Sequence, residues 1–386
     1  MNILKSALFG LVLVIGACIL LFWAEGRAVK TARSLEEGKG LVAEVDAAKI
    51  DAGNDGKLVH ITGDAVPQDV PGDLRLGVEA KGAVSLTRLV EMLQWKEISK
   101  EMERTASDGS KTKSTVYDYN TVWSSTPIES SKFKTAAAPN NPPMPLVGED
   151  FTIDAAKVGA FRLAGDAVAA LGKDTPLRLS DSGIAQAAAA LGNGNPVWLV
   201  NNRYVFAADP EAPQVGDLRI GFARGDVSRV SAVGRQAGDK LQAYTTSNGR
   251  EVFLIQAGNA SAAEMFKDAI EGNVFLTWVI RAGGLLMMFL GFMLSFAPLT
   301  GTLGRLPLIG ALIRGGASLV ALVMTLALGS ILIAMGWIFY RPLLALAIIA
   351  VGVGAAVVLS KFGKKDQVAA ADRPGPPRLD LPPTAG

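Results

Sequence analysis

Residues Ser6–Trp23 read SALFGLVLVIGACILLFW, a run without a single charge. A spanning helix needs about 20 apolar residues to cross a hydrocarbon layer ~30 Å thick, so this run suffices for a short span. A secretory leader is the alternative reading. Two features weigh against it: the run exceeds the usual leader core, and Ala24-Glu25-Gly26-Arg27 follows without a small-residue cleavage site.

Three more apolar stretches lie towards the other end: about Val274–Leu299 with Arg281 inside it, Gly316–Tyr340, and Leu343–Ser360. Between the first two of these, Leu303–Ile313 carries Pro307 and Gly310 and reads as an interfacial turn. The composition agrees with several spans. Hydrophobic residues make up 49% and charged residues 19%, with mean hydropathy +0.30. Soluble domains carry about a quarter charged residues.

Function classes fall away on the same grounds. A net charge of +2 gives no field that would gather nucleic acid. One Cys and one His rule out a disulfide framework, a Cys/His zinc site and paired-Cys haem attachment. A serine triad would have to use His60, which sits in a strand-like run. No phosphate-binding G-x-x-x-x-G-K-[ST] and no G-x-S-x-G elbow occur. Asp64, Asp69 and Asp73 lack the order of a calcium loop and read as solvated turn. No catalytic residue, cofactor or metal ligand is therefore assigned.

Lys and Arg near span ends set orientation. Lys5 precedes the first stretch, Arg305 and Arg314 lie between the second and third, and Lys361, Lys364 and Lys365 follow the fourth. All fall on one side if both termini are cytoplasmic. Arg27, Lys30 and Arg33 oppose this bias but are interleaved with Glu25, Glu36 and Glu37. The expected organisation is residues 1–5 inside, a span at 6–23, an extracytoplasmic domain at 24–273, a span at 274–299, a loop at 300–315, spans at 316–340 and 343–360, and a Pro-rich cytoplasmic tail at 361–386.

The large segment reads as β-rich and internally duplicated. Lys57–Gln68 (KLVHITGDAVPQ) matches Arg203–Gln214 (RYVFAADPEAPQ), and GDLRLG at Gly72–Gly77 matches GDLRIG at Gly216–Gly221. The copies are expected at about 57–125 and 203–256, with Asp73 and Asp217 at turns and Leu74, Leu218 and Ile220 turned inward. Asn248-Gly249 marks a hairpin between Leu241–Ser247 and Arg250–Gln256. Leu86–Glu103 can pair with Thr115–Ser125, where Tyr117, Tyr119, Thr121 and Trp123 alternate with other residues as a packed face would. Between the copies, about 150–192, Asp154–Leu171 and Ser182–Leu191 are Ala-rich and helical in propensity. Ser261-Ala262-Ala263-Glu264 is a capping-box signature, with Gly272-Asn273 as the expected bend before the next span.

Eight blocks carry a family resemblance: EGRAVKTARSLEEG (Glu25–Gly38), GKLVHITG (Gly56–Gly63), VEMLQW (Val90–Trp95), YDYNTVW (Tyr117–Trp123), QVGDLRIGF (Gln214–Phe222), SAAEMF (Ser261–Phe266), TWVIRAGG (Thr277–Gly284) and GWIFYRPL (Gly336–Leu343). With them the chain resembles the transmembrane protein 43 (LUMA) family, in a style that reads as bacterial. The resemblance implies four spans, a large domain between the first two, and both ends in the cytosol. For a bacterial chain this means the inner membrane with the domain periplasmic; for a eukaryotic one, the endoplasmic reticulum and inner nuclear membrane. The fold class expected is thus α+β, with four transmembrane helices and a β-rich domain.

The function expected is a membrane scaffold or organising protein, with membrane lipid, further copies of itself and other envelope proteins as partners and no nucleic acid. Small residues four apart, Ser330 with Ala334 and Ala350 with Gly354, suit helix contacts. A transporter or channel component is the alternative, and a membrane-embedded hydrolase a further one. The candidate site is a clasp at the outer boundary made of Glu25, Arg27, Arg281 and Arg341, which the topology places at one depth. Either Glu25 pairs with Arg281 or Arg341, or all four face lipid headgroups.

Overall fold

The computed structural model describes residues 3–105, 111–191, 194–298 and 309–340. The expected span at 343–360, the tail, Arg341 and residues 303–308 of the interfacial turn lie outside them. The chain divides into two compact units, one of residues 1–33 with 270–386 and one of residues 34–269.

The first unit is helical. Its described elements come from α1 (Ile3–Leu41), α4 (Ala262–Ser295) and α5 (Ile309–Tyr340). All three are long and apolar enough to cross a membrane. On α1 the buried positions Gly10, Val14, Ala17, Leu21, Ala24 and Ala28 recur at steps of four and three. That spacing keeps one seam facing a neighbour at a shallow crossing angle. The neighbour is α4, running antiparallel. A Cβ on Gly10 would meet the Gly291 carbonyl, and one on Gly284 would meet Leu21. Val14, Ala17, Leu21, Met288, Phe292 and Ala321 form the shared core. Meanwhile Leu8, Leu11, Val12, Ile15 and Ile19 on α1, and Leu319, Val323 and Leu326 on α5, point outward and exposed. An apolar surface that continuous suits lipid, not water.

The second unit carries two seven-stranded sheets. Its strands, in chain order, are β1 (Ala43–Glu44), β2 (Leu58–Pro67), β3 (Gly72–Asp73), β4 (Val78–Glu79), β5 (Ser85–Thr105), β6 (Lys111–Ser124), β7 (Glu149–Thr152), β8 (Ala155–Val158) and β9 (Phe161–Ala164). Then come β10 (Lys173–Pro176), β11 (Val197–Val200), β12 (Arg203–Phe206), β13 (Leu218–Asp226), β14 (Arg229–Ala237), β15 (Lys240–Gln242), β16 (Tyr244–Thr245), β17 (Glu251–Val252) and β18 (Leu254–Ala257). Two short helices, α2 (Gly165–Ala169) and α3 (Ile184–Leu191), lie between them.

In the first sheet β2, β8, β9, β15 and β14 follow one another, and β14 pairs back to β2, which closes a ring. Every pairing in the ring is antiparallel except β9 with β15. Numbered along the chain, the ring order is 1-2-3-5-4-1 with strands 3 and 5 parallel and a helix after strand 3. This is the topology of an OB-type barrel. Val59, Ile61, Ala156, Val158, Phe161, Leu163, Val230 and Ala232 fill it, joined by Val168 of α2. The second sheet, β11-β12-β13-β5-β6 with β10 and β7 attached, is built from the insertions between barrel strands. Leu86, Val90, Met92, Tyr204, Phe206, Leu218, Ile220 and Phe222 pack its buried face against Leu76, Val78 and Ala187 of α3.

Several expectations require correction. Asp154–Leu171 is mostly the β8–β9 hairpin, with only α2 helical. Ala propensity yields because Ala156, Val158, Phe161 and Leu163 are needed inside the barrel. No bend occurs at Gly272-Asn273, where α4 is continuous. Helix α1 likewise runs through Glu25-Gly26-Arg27 to Leu41, far past the apolar run. The two GDLR blocks take unlike structures: Leu74 lies in a turn and is 88% exposed, whereas Leu218 starts β13 and is fully buried. The GDLR blocks thus occupy unlike local structure, and the internal duplication is not confirmed. Tyr117, Tyr119 and Trp123 are half-buried, not core. The small residues that pack α5 inside this unit are Ala321, Thr325, Gly329 and Gly336, while Ser330 and Ala334 lie on its exposed face, open to a further helix.

Other expectations match the structure. Thr246 and Arg250 close the β16–β17 hairpin, with Gly249 at φ +79° as the turn needs. β5 and β6 pair from Met92↔Ser124 to Thr105↔Lys111. The capping box is formed: the Glu264 amide donates to Ser261 Oγ at 3.3 Å, and the Ser261 amide donates to Glu264 Oε2 at 2.9 Å.

Candidate functional site

Three of the sequence blocks meet in the helical unit. Glu25 leaves the apolar part of α1 and is only 2% exposed. Arg281 of α4 donates from Nε to Glu25 Oε1 at 2.7 Å and from Nη2 to Oε2 at 2.9 Å. This is the fork-on-fork geometry that only a guanidinium offers a carboxylate. The Trp278 ring covers one face of the guanidinium, 4.9 Å from Cζ to the centroid. The third helix is fitted to the pair by two glycines. A Cβ on Gly336 of α5 would lie 2.7 Å from Glu25 Cβ and Cγ, and one on Gly26 would lie 2.6 Å from Tyr340 Cζ. Phe22 packs on the Tyr340 ring at 5.7 Å.

Further polar contacts surround the pair. Arg27 Nη2 donates to Thr277 Oγ1 at 3.4 Å, and Thr277 Oγ1 donates to the Asn273 carbonyl at 2.7 Å. Asn273 Nδ2 donates to the Ala28 carbonyl at 3.0 Å. Arg33 donates to the Tyr340 carbonyl at 2.7 Å, a cation at the negative end of α5. Beside the pair runs a cleft of about 350 Å³, walled by Ala28, Val274, Trp278, Arg281 and Trp337. Trp23, Trp278 and Trp337 supply one tryptophan from each helix at this level, as at a membrane–water boundary.

Of the expected clasp, Glu25 and Arg281 are thus in contact, Arg27 lies one turn away on Thr277, and Arg341 falls outside the described residues. Asp73 and Asp217 are not equivalent. Asp73 accepts the Arg75 and Leu76 amides and the Arg88 guanidinium at 2.5 Å. Asp217 accepts the Gln214 amide at 2.6 Å.

Among the charge clusters of the β-rich unit that sequence reading missed are two built on Glu91 and His60. Arg219 forks onto Glu91 at 2.7 and 3.1 Å while lying over the Trp123 ring at 4.5 Å, and Arg203 donates to the same carboxylate. Hydrogen bonding from Arg219, with Arg203 adding to it, holds the Glu91 carboxyl below the ordinary carboxylate range against a smaller opposing effect of burial. The second cluster is His60, whose Nδ1 meets Glu44 Oε2 and whose Nε2 lies 2.9 Å from the Ala260 carbonyl. The signal for the first cluster was present, since VEMLQW, YDYNTVW and QVGDLRIGF each contribute one member. Asp64 pairs with Arg229 and Asp69 accepts the Asp154 amide, so Asp64, Asp69 and Asp73 serve separate contacts.

The bundle and barrel define an integral membrane protein of mixed α and β structure. The family profile for Transmembrane protein 43 matches residues 92–342. Transmembrane protein 43 of Rattus norvegicus is 33% identical over 350 residues, covering 87% of this chain and 84% of the relative. The Homo sapiens protein of that name is 33% identical over 88% of this chain and 85% of its own length. The Drosophila melanogaster homolog is 28% identical over 90% of this chain and 92% of its own length. No solved structure matches. The chain belongs to the Transmembrane protein 43 family.

Proposed function

We propose that the protein is a membrane scaffold that works by holding its spans in one arrangement and meeting further copies, other membrane proteins or lipid. The observation that carries this reading is the Glu25–Arg281 fork. Its carboxylate is fully committed to a guanidinium and packed under Gly336, which suits positioning and not proton transfer. The exposed small residues Ser330 and Ala334 on α5 give a face on which another helix can close. Both termini are proposed to be cytoplasmic and the β-rich unit extracytoplasmic, following the Lys and Arg distribution. For a bacterial chain this places the domain in the periplasm.

Crosslinking and mass spectrometry after mild-detergent purification test the scaffold. Self-association or stable co-purifying membrane proteins are expected, and a clean monomer without partners overturns the reading. Alkaline phosphatase fused within the domain should be active outside, and fused after Lys365 inactive; the reverse overturns the orientation.

A further inference from the structure

Arg281 uses only part of its hydrogen-bonding capacity on Glu25. Nε and Nη2 face the carboxylate, and Trp278 covers one face of the guanidinium. The Nη1 edge has no partner among the described residues and Arg281 lines the cleft of about 350 Å³. Its side chain is 11% exposed, so those N–H groups meet little bulk water. A guanidinium edge left open in a low-dielectric layer favours a charged oxygen acceptor. Arg27, held at Thr277 on the cleft wall, adds a second cation to the neighbourhood. Two tryptophans, Trp278 and Trp337, line the cleft beside Arg281, and the apolar core of the bundle at Leu285 and Met288 begins one turn further along α4. Such rings settle at headgroup depth, where the acceptor in greatest supply is phosphate.

We propose that this cleft is a phospholipid site, in which the phosphodiester sits on the free edge of Arg281 beside Trp278 and Trp337 and the acyl chains descend along the exposed apolar surface of α4 beyond Arg281, at Leu286 and Leu290. Glu25 then acts as the positioning residue. By taking one edge of the fork it turns the other towards the lipid. The proposal rests on the membrane-integral reading and not on self-association, so a chain that crosslinks to itself but retains no phospholipid fails this inference alone.

The test uses native mass spectrometry of the delipidated full chain in detergent. The probes are dioleoylphosphatidylglycerol, dioleoylglycerol, which lacks the phosphate, and glycerol 3-phosphate, which lacks the chains. One phospholipid is expected to survive activation at least tenfold better than dioleoylglycerol, and millimolar glycerol 3-phosphate should not displace it. Arg281→Lys keeps a cation for Glu25 but loses the second edge, and Val274→Trp closes the cleft with the ion pair intact. Each is expected to cut retention about tenfold. Equal retention of dioleoylglycerol, displacement by glycerol 3-phosphate, or wild-type retention by the folded Val274→Trp variant overturns the site.

Discussion

Glu25 and Arg281 lie 256 residues apart in the chain and form a two-bonded ion pair inside a helix bundle. The carboxylate is 3% exposed and the guanidinium 11%. Removing one partner strands the other charge, which costs about 3–5 kcal/mol in a buried setting. Glu25→Ala should therefore lower the thermal stability of the detergent-purified chain by about that amount. Exchanging the charges in Glu25→Arg with Arg281→Glu should recover part of what Glu25→Arg loses. A double variant no more stable than the single one would show that the pair carries no energy.

The same site predicts opposite outcomes for glycines on neighbouring helices. At Gly336 an added methyl would lie 2.7 Å from Glu25, and the backbone must shift to admit it. Gly336→Ala should cost about 1–3 kcal/mol, as overpacking does. Gly283 of α4 has nothing within 4 Å of an added methyl. Gly283→Ala should be neutral or stabilise by up to about 1 kcal/mol through helix propensity. Thermal melts of the two variants decide between packing and propensity as the reason for glycine.

What could be read in advance follows from how local each signal is. The apolar run at Ser6–Trp23 and the capping box at Ser261–Glu264 need only neighbouring residues, and both mark helices in the structure. Placing Glu25 and Arg281 at one depth needed only the topology. Choosing between an ion pair and headgroup contacts needed the seam of Gly10, Ala17 and Ala24, which sets the rotation of α1. The barrel was hidden for a different reason. Its ring strands are three to ten residues long and separated by insertions that build another sheet. β8 and β9 are read as helix from their alanines because the outer neighbours of this hairpin in the barrel, β2 and β15, lie elsewhere in the chain. The resemblance of the GDLR blocks misled because a Gly-Asp turn can precede a strand at Leu218 or continue as a turn at Leu74.

His60 offers a test within the β-rich unit. Both ring nitrogens face acceptors, Glu44 Oε2 and the Ala260 carbonyl, with Thr62 Oγ1 3.4 Å from Nε2. Ala260 immediately precedes Ser261, which caps α4. His60→Leu should cost about 1–3 kcal/mol, because the Ala260 carbonyl loses its donor. Hydrogen exchange should speed up first at Ala262–Met265, the turn that the cap begins. Unchanged protection there would mean that the imidazole does not hold the helix start.

Glu91 sets the acid limit of one part of the second sheet. Its carboxyl is held below the ordinary range chiefly by the Arg219 fork. A depressed folded value means that the unfolded chain takes up a proton first as pH falls. The stabilisation is then fully present above the unfolded carboxylate value, about 4.3, and fades as pH drops through the lower folded one. The side chain is 27% exposed, so solvent screens part of the effect. Glu91→Gln should destabilise the protein by about 1 kcal/mol at pH 7, the lower end for hydrogen bonds to charged groups. As pH falls below the ordinary carboxylate value and through the lowered folded one, the wild type gives up this advantage and the two unfolding curves should draw together. Urea unfolding at pH 7 and pH 3, followed by Trp123 fluorescence beside Arg219, measures this directly. A difference that does not shrink at all between pH 7 and pH 3 would assign the loss to packing of the amide instead of to the ion pair.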